Sequence, residues 1–181
     1  MISIANNRPV LQIGRYQVAG YDTDWIETAL RLAAERSERG DCPFLAELRE
    51  GIEHYLEHRC SLSLLKLEEL YARMRQMLEE VGCPALAENL PVVAPPLKIS
   101  LVPTAEAAGS GYELLFFKLL RDDLEDLQAH GVSEIEIEDL RQCVLILRGR
   151  QKFTAPCSRL ARDIEAFLLQ FERSRAVNAD F

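Results

Sequence analysis

Residues 9–19 read PVLQIGRYQVA, and the conformation of this stretch sets the architecture of the N-terminal half of the chain. Apolar and polar side chains alternate along it, and one glycine, Gly14, stands near its midpoint. A period of two lays one face of a strand on a core, and a central glycine supplies the backbone freedom of a tight turn. The pattern predicts a β-hairpin turning near Gly14. Asp22 then offers an N-cap for a helix whose apolar positions include Ile26, Ala29, Leu30 and Ala33. A hairpin feeding an amphipathic helix opens an α+β fold.

Further along, Gly40, Asp41 and Pro43 break the first helix. A second is expected over about 44–58, with Leu45, Leu48, Ile52, Tyr55 and Leu56 on one face. A third carries Leu67, Leu70, Tyr71, Met74, Met77, Leu78 and Val81 at three-four spacing and stops at Gly82. Residues 85–90 add a short helical turn. Pro91, Pro95 and Pro96 then forbid helix and predict an extended connector. Beyond it, 97–102 reads as strand, and Ser110 with Glu113 forms a capping box for a helix running to His130 and closed by Gly131. Glu134 to Glu138 alternates strictly, and 143–147 is an unbroken apolar run expected to be a central strand. A last helix carries Leu160, Ile164, Phe167, Leu168 and Phe171. The expected fold is α+β. A β-hairpin plus helical bundle over 1–90 is joined by the connector 91–96 to a small βαββα sandwich over 97–174, with a tail at 175–181.

The totals narrow the function. A net charge of −8 opposes nucleic-acid binding, which draws on clustered Lys and Arg. No apolar run nears the ~18 residues of a membrane span, and MISIANNRPV lacks the basic and apolar segments of a secretory signal. The expectation is a cytoplasmic protein with neither a nucleic-acid nor a membrane partner. Cys42, Cys60, Cys83, Cys143 and Cys157 show no C-x-x-C spacing and read as reduced thiols; Cys157, near a helix start, is a candidate reactive thiol.

One motif suggests catalysis. In GIEHYLEH, residues 51–58, the string His54-Tyr55-Leu56-Glu57-His58 satisfies H-x-x-E-H, which resembles the inverted zinc peptidases. The resemblance implies zinc on His54 and His58, water activation by Glu57, and a distant third ligand for which Glu134 or Glu136 would serve. The flanks DCPFLAELRE and RCSLSLLKLEE lack that family's neighbouring elements, so a zinc-dependent hydrolase is the alternative reading.

The favoured reading rests on a longer likeness. Val10, Gly14-Arg15, Tyr21-Asp22, Ile26 and Ala29-Leu30, with LKLEELYARMRQMLEEVGCPALAENL at 65–90, resemble the ATP-cone, a small nucleotide-binding regulatory domain, over about residues 10–90. The resemblance implies ATP or dATP held between the hairpin and the first helices. Arg15 would contact the anionic group, and Tyr21 or Trp25 would stack on the base. The pattern is degenerate at the phosphate positions. Leu11 and Gln12 replace a basic pair, Trp25 replaces a cation, and Arg8 is the available substitute. A triphosphate carries about four negative charges, too many for one arginine to compensate. The expected function is therefore non-catalytic regulation or ligand sensing, with an unidentified protein or a second copy as partner. A ligand-free protein–protein interaction scaffold is a further alternative.

Three smaller features have structural readings as well. Ala107-Ala108-Gly109-Ser110-Gly111 lacks the lysine of a phosphate loop. Arg148, Arg150 and Lys152 cluster at a turn and read as solvated. Glu134, Glu136 and Glu138 read as charges guarding an exposed strand.

Overall fold

The computed structural model describes residues 8–37 and 44–179, without the side chains of 175–179. The hairpin forms where alternation places it. Strand β1 (Val10–Ile13) runs antiparallel to β2 (Tyr16–Val18), with Leu11 opposite Val18 and Ile13 opposite Tyr16. Leu11 and Ile13 are fully buried, whereas Gln12 between them is half-buried. Gly14 takes φ +55°, and a Cβ there would meet the Asp126 carboxylate at 2.8 Å. The turn needs glycine on both counts. A third strand, β3 (Leu64–Lys66), lies parallel to β1 and sets Leu65 opposite Leu11, giving the order β2-β1-β3.

Of the helices α1 (Asp24–Arg36), α2 (Leu45–His54), α3 (Leu67–Glu80) and α4 (Pro84–Glu88), α3 packs on β1 and β3, α4 packs on α3 and α1, and α2 packs on α1. Thr23, not Asp22, occupies the N-cap position of α1. The Asp22 carboxylate still accepts the Asp24 N–H at 3.2 Å, and the Thr23 hydroxyl donates to Glu53. The breakers Gly40, Asp41 and Pro43, together with Cys42, lie outside the described residues. Ile26, Leu30, Ile52, Leu56, Leu70 and Leu78 are buried to within 1% exposure, so most of the apolar faces read from the spacing are core; on α3, Met77 is half-buried and Val81, just past its end, is exposed.

Residues 91–96, expected to connect two parts, pack within the first of them. The Tyr71 hydroxyl donates to the Val93 carbonyl at 2.7 Å and accepts the Val93 N–H at 2.8 Å. The Ala94 N–H bonds the Gly131 carbonyl, and the Leu97 N–H bonds that of Glu134, both at 3.0 Å. Gly131 (φ +81°) faces the Val92 carbonyl so closely that a Cβ would collide with it. The described chain accordingly divides into one unit reaching to Leu97 and including Asp126–Ile135, and a second of Lys98–Glu125 with the residues from Glu136 onward.

The remaining elements are β4 (Leu97–Ser100), α5 (Val102–Ala108), α6 (Glu113–Ala129), β5 (Ile135–Glu138), α7 (Leu140–Arg148) and α8 (Ala155–Ala179). Strands β4 and β5 make a two-stranded sheet, and Lys98 bridges Glu136 at 2.9 Å and Glu138 at 3.6 Å. The α+β class and the N-terminal hairpin hold, but the third strand of the expected βαββα unit is a helix. In α7, Cys143, Val144 and Leu147 are buried while Leu145 and Ile146 are half-buried, which is helical rather than alternating periodicity. Helix α6 opens at Glu113, two residues later than a cap at Ser110 implies. Gly109 and Gly111 take positive φ, and the Glu113 carboxylate pairs with Arg148 at 3.0 Å. Among the described residues, no helix is long and apolar enough to cross a membrane.

Candidate functional site

The residues singled out on the hairpin side separate into two environments. Tyr21 is 6% exposed and Trp25 4%, and their rings meet edge-on with centroids 6.3 Å apart. Trp25 lies equally far from Tyr71. The Tyr21 hydroxyl donates to the Pro9 carbonyl at 3.0 Å, and the Trp25 indole N–H to the Asp22 carbonyl at 2.8 Å. Burial pushes the Tyr21 phenol up to about 12, against the opposing pull of the Arg8 charge. Both aromatics thus belong to the core. Arg15 is exposed at the turn, lies over the Tyr16 ring at 5.1 Å, and donates to its hydroxyl at 3.0 Å.

Arg8 ties the hairpin side to α2 and its extension. Its Nε and Nη2 donate to Glu57 Oε1 at 2.9 and 2.7 Å, and its Nη1 to the Tyr21 carbonyl at 3.0 Å. Glu53 lies 3.7 Å from the same guanidinium. The arginine expected to help grip phosphate is instead 12% exposed and compensated by carboxylates.

Glu57 stands on the most unusual backbone of the described chain. Residues Tyr55–Arg59 continue α2 as a π-helical turn, in which the Cys60 N–H reaches the Tyr55 carbonyl five residues back at 2.8 Å. Such turns are rare and recur at functional sites. On this turn Leu56 is buried in the core, Glu57 takes Arg8, and Tyr55 and Arg59 face a groove against α3.

That groove encloses about 550 Å³, within the ~300–1,000 Å³ of small-molecule sites. Ile52, Leu70 and Met74 form its buried floor, and Tyr55 and Met77 are half-buried on its walls. Arg73 donates to the Tyr55 hydroxyl and lies over its ring at 5.9 Å. His54, Gly51 and Arg59 complete the α2 side, all exposed. Arg59 makes no hydrogen bond or ion pair among the described residues. No sequence motif assigns a role to Gly51, Arg59 or Arg73. A glycine inside an otherwise regular amphipathic helix is the one signal that could have done so.

His54 and His58 stack with ring centroids 4.6 Å apart and planes 19° apart, while Glu57, the residue that would activate water, is held by Arg8. Among the described residues, no group of three or more His, Cys, Asp or Glu side chains is arranged to hold a metal. In the second unit, the thiol of Cys157 is lowered by hydrogen bonds from Thr154 and by the Arg148 and Arg150 charges, yet its side chain is fully buried. Cys143, also buried, is pushed up to about 12 by desolvation. No family model, curated protein or solved structure matches the chain.

Proposed function

We propose that this chain is a non-catalytic ligand-sensing protein. Its first unit would be an ATP-cone-like scaffold that no longer grips a triphosphate and takes a less charged ligand. The reading is carried by the double engagement of Arg8, which joins the hairpin-to-α1 segment, through the Tyr21 carbonyl, to Glu57 on the π turn. A ligand bound against that turn would be felt at the hairpin through one guanidinium. Sensing then requires only that the ligand prefer one arrangement of the turn over another. The order of hairpin, α1, α2, α3 and α4 supports the scaffold. The commitment of Arg8 to carboxylates and of Tyr21 and Trp25 to the core supports the loss of a triphosphate grip.

The test is a thermal-shift panel of nucleotides and small organic anions, read beside hydrogen exchange across residues 10–18. The reading expects a ligand that raises Tm and changes hairpin protection without being consumed. If ATP or dATP is that ligand, Arg15→Ala removes the effect. A panel that moves neither readout would leave a partner-binding scaffold as the better description, and turnover of a ligand would make the protein an enzyme.

A further inference from the structure

We propose that the groove between the π turn and α3 binds a small amphiphilic organic anion: an apolar body ending in one carboxylate or phosphate. This names a ligand class for the sensing reading and rests on that reading for its consequence, though not for its binding.

Three features converge on that chemistry. The first is the lining: a floor of Ile52, Leu70 and Met74 with Met77 beside it offers an apolar bed. Methionine is unbranched and polarizable, so it moulds to bodies of differing shape. The second is charge. Arg59 is exposed at the groove with no partner among the described residues, and Arg73 donates to the Tyr55 hydroxyl. The carboxylate of the lining, Glu80, accepts from Gln76 at 2.9 Å. Within the lining two guanidinium groups stand against one carboxylate, with Glu69 acting on Arg73 from outside it, so Arg59 is the cation left for a ligand head, and guanidinium forks suit carboxylate and phosphate. A head of one or two charges suits such a lining; the roughly four charges of a triphosphate do not.

The third feature is the backbone. Gly51 lies in the interior of α2, where glycine is a poorer helix former than alanine. Its φ is not positive, and a Cβ there would meet no atom within 4 Å. Neither conformation nor packing requires glycine at this position. A side chain there would, however, grow from the groove wall, so glycine keeps the groove open. Tyr55 and Arg59, the first and last residues of the π turn, both line the groove.

Titration calorimetry on the full chain tests this with octanoate, octyl phosphate and octanol. At least one anion should bind saturably at one site, and octanol should bind ~10-fold or more weakly, since a charge-assisted hydrogen bond is worth about 1.5–3 kcal/mol. The tighter anion identifies the head group. Arg59→Gln should reduce the preference for the anion and leave octanol unchanged. Gly51→Leu should abolish binding while leaving Tm equal to or above that of the parent, because leucine is the better helix former; the loss is then not unfolding. Three results would overturn the site: no saturable binding of any probe, octanol binding as tightly as both anions, or Gly51→Leu retaining the parent affinity. Saturable binding without any change in exchange over residues 10–18 would leave the site standing and remove the sensing role. Nucleotide-induced protection of the hairpin without octanoate or octyl phosphate binding would do the reverse.

Discussion

Removing one oxygen should loosen the first unit measurably. The Tyr71 ring is fully buried, and its hydroxyl both donates to and accepts from Val93, at 2.7 and 2.8 Å. No other single side chain brackets a residue of the proline-rich segment in this way among the described contacts. In Tyr71→Phe the ring still fills its site, so no cavity opens, but the Val93 N–H and carbonyl both lose their partner. Each intramolecular hydrogen bond contributes a net ~0.5–1.5 kcal/mol, and a buried group left unpaired costs more. Val93 is half-buried, so water recovers part of the loss. The sum is about 2 kcal/mol. For a chain of this length that lowers Tm by roughly 4–8 °C. Trp25, the sole tryptophan, has its ring centroid 6.3 Å from that of Tyr71 and reports unfolding of this unit by fluorescence in urea. Hydrogen exchange at the Val93 amide gives the local readout. A change below ~0.5 kcal/mol with Val93 protection intact would show that Tyr71 does not pin the segment.

Gly131→Ala should be more damaging, by about 2–4 kcal/mol, because it adds a left-handed backbone penalty at φ +81° to a collision with the immovable Val92 carbonyl; urea unfolding followed at Trp25 checks it. Stability should fall as pH rises from about 9 to about 12. Over that window the Cys143 thiol ionises in the unfolded chain but stays protonated when folded, so the folded state binds more protons and the slope is negative. Cys143→Ala should flatten that part of the profile in alkaline denaturation. A thiol-reactive dye should label the half-buried Cys60 and Cys83 in the native protein well before the buried Cys143 and Cys157; equal rates would show that the second unit opens readily.

The hairpin, the three long helices of the first unit and the last helix were legible because each carries a periodic apolar face that is also its core face. Strand β3 was not, since three residues, Leu64 to Lys66, are too short to show a period and owe their pairing to β1. The run at 143–147 misled for the opposite reason: five consecutive apolar residues fit a buried strand, and only burial against α5 and α8 reveals the spacing of 143, 144 and 147 as one helical face. The capping box failed because Gly111, which would be the first helical residue, takes φ +85°, and Glu113 pairs with Arg148 instead. The candidate ligand residues were legible as types but not as environments. Tyr21 and Trp25 look equally suited to stacking or to a core; Trp25 is settled by Tyr71, some 46 residues away, and Tyr21 by Trp25 and the Pro9 carbonyl. The π turn left no mark in the sequence, because a single widened turn does not disturb an apolar face that ends there.

The sharpest test of the link between groove and hairpin is hydrogen exchange over residues 10–18 and 55–59, with and without saturating octanoate, in the parent chain and in Arg8→Lys. Lysine keeps the charge but cannot engage Glu57 and the Tyr21 carbonyl at once with a planar fork. Protection of both segments should change together in the parent, and only the π turn should respond in Arg8→Lys. A parent hairpin that ignores octanoate while the turn responds, or an Arg8→Lys hairpin that still follows it, would contradict the coupling through Arg8.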